Sequence, residues 1–252
     1  MKAEQILLKL KEHFNNKGFN IFKVIESKEY DKHCNVNEKK TKYILDNSKS
    51  IILIGFSGNK FWNVLQKYLL VNPGFKTSSK NWIDDYTKIV FNQSEFHFPQ
   101  NKIEFKFIYP FGSDALLLDF IKIGEIAGIG VKSLLGILLN PVYGTWMSLR
   151  GAIISNTETD NYDLPLNDFD PCTTCSKPCN TACPANTISE KGWDWKKCMD
   201  FRIKTETCSS NCFSRRACPY GAEHQYSEQQ LTYHHMFVIK SIKNPAPYDL
   251  DK

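Results

Sequence analysis

Apolar residues at Ile6, Leu7, Leu10 and Phe14 line one face of a helix that Gly18 can terminate. Asn20 to Ile25 then reads as a short strand, followed by a charged stretch with helical spacing to about Asn47. SIILIGF, Ser50 to Phe56, is apolar without interruption, the pattern of a buried strand. Gly55 and Gly58 turn the chain into a helix carrying Phe61, Val64, Leu65 and Leu69. Trp82 to Val90 reads as another helix, and Ile103 to Phe111 alternates with a period of two, as a strand does. Ser113 or Asp114 can cap a helix running to about Ala127, and SLLGILLN and GAIIS supply two more strands.

This alternation predicts an α/β (α+β) layered domain over residues 1–160. DNYDLPLNDFD, residues 160 to 170, reads as a linker. Residues 161–252 form a second, loop-rich domain that is dense in cysteine and ends in a tail. GFSG at 55 to 58 has the strand–glycine–helix order of a phosphate-binding loop. Neither G-x-G-x-x-G nor G-x-x-x-x-G-K-[ST] is present, so an ordinary turn is expected there.

With 252 residues and 42% hydrophobic composition, the chain can build a core without disulfide staples. Its first residues hold no apolar run of the signal-peptide kind. The most apolar region, Ala115 to Leu139, is broken by Asp119, Lys122, Glu125 and Lys132, unlike a membrane span. The expectation is a cytoplasmic chain with no membrane association, where thiols stay reduced and clustered cysteines bind metal. A net charge of +5 permits contact with nucleic acid or an acidic partner without requiring it.

CTTCSKPCNTACP, residues 172 to 184, carries four cysteines, and Cys198, Cys208, Cys212 and Cys218 come after it. Of the nine cysteines only Cys34 lies elsewhere, and it is expected to be a core or surface thiol. The first run is spaced C-x2-C-x3-C-x3-C-P. A zinc ribbon has two C-x2-C pairs, and here only Cys172 and Cys175 make one. The bacterial ferredoxin run C-x2-C-x2-C-x3-C-P gives three cysteines to one [4Fe–4S] cluster and the fourth to a second. The present run differs by one inserted residue, at Pro178, and Pro184 turns the chain away after the fourth cysteine. On that pattern Cys172, Cys175, Cys179 and Cys218 hold one cluster, and Cys183, Cys198, Cys208 and Cys212 the other. Zinc, or one cluster with spare thiols, is the alternative the spacing leaves open. Lys196, Lys197, Arg202, Lys204, Arg215 and Arg216 can stabilise anionic clusters, form a solvated rim, or meet tRNA phosphates. His224, His234 and His235 are surplus to the ligand count and read as structural.

The cysteine order of four, one and three resembles that of the epoxyqueuosine reductase family, which is related to the corrinoid-dependent reductive dehalogenases. AGIG (127–130), NPVYG (140–144) and RGAIIS (150–155) are similar to that family's motifs at similar spacing. The resemblance covers about residues 105 to 220. It implies a nitroreductase-like layered N-terminal domain able to hold cobalamin, followed by a bacterial-ferredoxin-like domain with two [4Fe–4S] clusters. An electron-donor protein of flavodoxin or ferredoxin type is expected as a partner; tRNA is a partner the sequence permits without supporting it. Asp114 falls where the family has its proposed proton-donating aspartate; by its own surroundings it reads as a helix N-cap. The sequence departs from the family in lacking its Gly-Trp-Ile-Gly-Lys turn, since Val131, Lys132, Ser133 and Leu134 come after Gly130. The second cysteine run, C-x3-C-x5-C-P, is also looser than the family's. Three readings stand on these residues: a reductase, a ferredoxin-like electron carrier that docks a separate enzyme, and a zinc-stabilised nucleic-acid-binding protein.

Overall fold

Four strands form one sheet: β1 (Ile21–Glu26), β2 (Ser50–Ser57), β3 (Phe105–Ile108) and β4 (Met147–Ser155). β1 and β4 flank β2, β3 pairs with β4, and every pairing is antiparallel. The fold is thus the α+β form of the expected mixed class. Residues 3–98 and 103–243 are described by this structure, a computed structural model; the tail beyond residue 243 lies outside them. β2 is buried along its whole length, which is why its sequence does not alternate. The register sets Val24 beside Ile52, Ile52 beside Ile153, and Ile153 beside Phe107, a row of branched and aromatic side chains across all four strands.

The chain divides into two units, one of residues 1–131 and 147–169, the other of residues 132–146 and 170–252. In the first, the helices α1 (Ala3–Asn16), α2 (Ser27–His33), α3 (Lys60–Val71), α4 (Trp82–Ser94) and α5 (Phe120–Ile126) accompany the sheet. Phe14, Phe19, Phe56, Phe61 and Phe91 are wholly buried. Phe56 stacks on Phe61 with ring centroids 4.1 Å apart, and Phe14 meets Phe91 edge-on at 4.9 Å. Asn81 starts α4 by accepting hydrogen bonds from the Ile83 and Asp84 backbone N–H groups, a cap worth about 1 kcal/mol.

Several elements are shorter than the pattern predicts. The charged stretch to Asn47 holds only α2, a 3-10 turn at Asn37–Lys39 and one helical turn at Thr41–Ile44. The strand expected to reach Phe111 ends at Ile108, because Pro110 has no N–H to continue the ladder. The helix expected from Ser113 or Asp114 begins instead at Phe120, capped by Asp119, whose Oδ1 accepts from Lys122 N at 2.9 Å. Gly112, with φ +68, opens a 3-10 turn over Gly112–Asp114 that breaks the earlier start. In SLLGILLN only Leu138–Leu139 is extended, since Gly136 turns the chain at φ +74.

The 160–170 segment, expected as a linker, is held against β1. Asp163 accepts from Val24 N at 2.8 Å and from Lys23 Nζ at 2.7 Å, while its own N–H donates to Val24 O at 2.7 Å. Leu164 O then lies 2.2 Å from where a Cβ on Gly128 would stand, and Gly128 has φ +63. Gly128→Ala is therefore expected to cost roughly 1–3 kcal/mol from backbone strain alone, with the clash in addition. Gly74→Ala meets nothing within 4 Å and should change stability by less than about 1 kcal/mol. Urea unfolding of the two variants checks this; equal midpoints would contradict the packing of Gly128 on Leu164.

Candidate metal centre

The first cysteine run folds as two single helical turns, Pro171–Thr174 and Pro178–Thr181, each opened by a proline whose missing N–H is not needed there. Between them Lys177 takes the left-handed conformation, φ 57 and ψ 50. That kink absorbs the inserted residue: Pro178 starts the second turn, and Cys179 still faces Cys172 and Cys175. These three, with Cys218, line one pocket together with Leu134, Leu135, Leu139, Pro178 and Pro219. Its empty volume is about 360 Å³, open solvent at the mouth included. Burial raises the pKa of Cys179, and the nearby charges of Cys218, Cys172 and Cys175 add to this. Burial likewise raises Cys218, against a hydrogen bond from the Tyr220 backbone.

The other four thiols gather separately. Burial raises Cys208, with the charges of Cys212, Cys198 and Cys183 acting on it, and burial raises Cys198 as well. Burial also pushes the Cys183 thiol up, but hydrogen bonds from Thr187, Ala185 and Ser214 outweigh it and hold it below the ordinary value. Thr187 supplies both its backbone N–H, 3.4 Å from Cys183 Sγ, and its hydroxyl at 3.2 Å. The two sets meet in one apolar cluster, where Cys179 and Cys183 pack with Leu134, Leu135, Ile137, Ala185 and Ile188. Among the described residues no three His, Cys, Asp or Glu side chains converge as a site for a single metal ion. A tetrahedral zinc, with Zn–S near 2.3 Å, would draw its thiolates to within about 4 Å of one another; a cubane interposes its own irons and sulfides, so its thiolates stand wider.

The segment 132–146 buttresses this unit. In NPVYG, Asn140 Oδ1 accepts from Val142 N at 2.8 Å and Tyr143 N at 2.9 Å, and Asn140 and Gly144 exchange backbone hydrogen bonds. Gly144 (φ +55) and Gly221 (φ +66) lie backbone to backbone: a Cβ on Gly144 would stand 1.8 Å from Tyr220 O. That contact fixes the chain just after Cys218. Gly136 makes a similar approach to Trp193, 2.7 Å from a Cβ to the ring. Arg215, on the turn Phe213–Arg216 between Cys212 and Cys218, lies over Trp146 at 4.6 Å and Tyr226 at 4.9 Å. Its Nη2 donates to Thr145 O at 2.5 Å. None of these partners is legible in the sequence, because they depend on backbone approach and ring stacking.

His235 is buried, with Nδ1 3.1 Å from Cys208 O and 3.0 Å from Arg202 Nη2. Burial, then the Arg202 charge, lowers its pKa to about 4, so it is neutral at pH 7. His224 lies against Tyr143 and His234 against Tyr226. Cys34, half-buried in the first unit, has its sulfur 3.2 Å from Val36 O. Asp114 caps no helix; its Oδ1 accepts from Ser113 Oγ at 3.2 Å, and the residue is half-buried. Its charge acts on the neighbouring Tyr109, whose hydroxyl pKa is raised first by burial and then by Asp114. Phe111, beside them, carries the Arg150 guanidinium 4.8 Å over its ring, and Arg150 pairs with Asp84.

The fold is that of the epoxyqueuosine reductases and reductive dehalogenases. An epoxyqueuosine reductase solved with a tRNA-Tyr epoxyqueuosine-modified stem loop superposes with TM-score 0.62 at 17% identity, over 92% of this chain and 69% of that one. The Bacillus subtilis epoxyqueuosine reductase, captured with an aspartate catalytic loop swung out of its active site, gives TM-score 0.59 at 16% identity, over 90% and 68%. A catabolic reductive dehalogenase in complex with 3-bromo-4-hydroxybenzoic acid gives TM-score 0.57 at 15% identity, over 92% of this chain and 34% of that one. No protein-family profile matches the sequence, and no curated protein does. Among the described residues no helix is long and apolar enough to cross a membrane.

Gly144→Ala is expected to force the 218–224 loop away from its seat. Amide hydrogen exchange should then quicken in that loop while β2 keeps its protection; unchanged exchange would contradict the close approach.

Proposed function

We propose that this protein is an iron–sulfur redox protein carrying two [4Fe–4S] clusters, one held by Cys172, Cys175, Cys179 and Cys218, the other by Cys183, Cys198, Cys208 and Cys212. The observation that carries this reading is the sorting of eight thiols into two sets of four, the first around an apolar pocket. The residues present fit such groups. Thiolates suit iron, the backbone N–H of Lys177 points at Cys175 Sγ from 3.3 Å, and leucines and prolines wall off water. When bound, the clusters supply one-electron transfer. The cysteine-rich unit is then the ferredoxin-like domain, and the first unit, centred on the sheet, holds the electron acceptor.

The reaction proposed is a reduction of the epoxyqueuosine reductase type. The fold likeness favours it, as does a tRNA-bound structure among the neighbours. Cobalamin as acceptor rests on likeness to a reductive dehalogenase whose structure suggests a mechanism for B12-dependent dehalogenation. Asp114 is the proposed proton donor to the oxygen leaving the substrate. Its carboxylate is unspent as a helix cap, and its charge acts on Tyr109. Electrons would come from a flavodoxin- or ferredoxin-type protein.

Anaerobically prepared protein should contain about eight irons and eight sulfides per chain, and Cys218→Ala should lose about half of both. Zinc without sulfide would overturn the reading. Asp114→Asn should keep its iron yet lose turnover on an epoxyqueuosine-bearing tRNA stem loop by roughly 10²–10⁴-fold. Unchanged turnover would remove the proton-donor role. Full iron with no turnover in the parent protein would instead identify an electron carrier.

A further inference from the structure

The two sets of thiols differ in what surrounds their sulfurs, a difference that bears on electron transfer only under the cluster reading proposed above. Around the first set the donors are backbone groups: Lys177 N–H toward Cys175, with the Asn180 and Tyr220 backbone toward Cys179 and Cys218. The cation beside it, Lys177, is committed to Glu190, with Nζ 2.8 and 2.6 Å from the two carboxylate oxygens. Its charge is largely cancelled.

The second set has side-chain donors and a free charge. Thr187 reaches Cys183 with both hydroxyl and N–H, Ser214 adds its hydroxyl, and the Trp193 side chain hydrogen-bonds Cys198. Arg202 lies one turn beyond Cys198 on the helix Trp195–Lys204, so both side chains share a face. Its charge acts on Cys198 and Cys208. Arg202 Nη2 lies 3.0 Å from His235 Nδ1, and that ring touches the Cys208 carbonyl. Among the described residues Arg202 forms no ion pair with a carboxylate, and its buried Nε has no hydrogen-bond partner. Hydrogen bonds to cluster sulfurs and an uncompensated cation both stabilise the more negative, reduced form. Removal from water strengthens the charge effect.

We propose that the cluster on Cys183, Cys198, Cys208 and Cys212 has the higher reduction potential of the two, held there by Arg202 and the Trp193 N–H. The first electron from a one-electron donor then rests on that cluster, and the second enters the cluster on Cys172, Cys175, Cys179 and Cys218. Each transfer adds one negative charge and breaks no bond.

The test is an EPR-monitored potentiometric titration of the loaded full chain, with dithionite as reductant. Two separate midpoints are expected. Arg202→Gln should lower the higher midpoint alone, shifting the partition of the first electron about tenfold, which for a one-electron couple is about 59 mV. Arg202→Lys should keep most of the gap, and Trp193→Phe, which retains a ring but no N–H, should narrow it by less. A loaded Arg202→Gln protein in which the lower midpoint moves, or neither does, overturns the inference; should that variant fail to load, an unmoved midpoint in Trp193→Phe does so. A parent chain that takes up no iron and sulfide overturns the cluster reading and this inference with it.

Discussion

Three sulfurs on one short loop reach only one side of a cluster-sized object, so the fourth must return from elsewhere in the chain. In the proposed assignment Cys218 would make that return, 35 residues after Cys183 in a strand-poor unit. Its position is fixed by the backbone of Gly144 against that of Gly221, an approach that neither residue could make with a side chain. Arg215 stacked between Trp146 and Tyr226 secures the same segment from its other end. The segment 132–146, remote in sequence from the cysteines, is therefore part of their scaffold.

Burying thiols that ionise is costly, and at one of them the chain's own donors offset that cost. Desolvation raises Cys179, Cys198, Cys208 and Cys218, whereas Cys183, ringed by donors, falls. In the proposed reading a bound cluster would offset the rest, since coordination favours the thiolate. The first unit meets a different demand. Its fully buried strand β2 gives a rigid floor, and Arg150, paired with Asp84, lies over Phe111, whose ring is 5.1 Å from that of Tyr109.

Uninterrupted apolarity identifies β2, and helical spacing identifies α3 and α4, because these elements are buried by the pattern itself. Pairing direction is not readable: a strand buried on both faces looks alike in parallel and antiparallel sheets. The late start of α5 hinges on Gly112 and on Asp119 as the cap, and in sequence Asp119 is one more charge in an apolar run. The proposed partition of the eight thiols rests on their spacing, since short intervals restrict which sulfurs can meet. The six basic residues near them are indistinguishable in sequence. The structure separates several of them: Arg215 stacks on rings, Arg216 pairs with Glu228, Lys197 binds Asn186 O, and Arg202 turns to the second set.

The partition of the thiols carries everything proposed about redox function, and anomalous scattering at the iron edge tests it most directly. Crystals of anaerobically prepared protein should show two separate iron peaks, one bounded by Cys172, Cys175, Cys179 and Cys218, the other by Cys183, Cys198, Cys208 and Cys212. A single peak, a zinc-edge signal in place of iron, or a peak bounded by cysteines of both sets would contradict it.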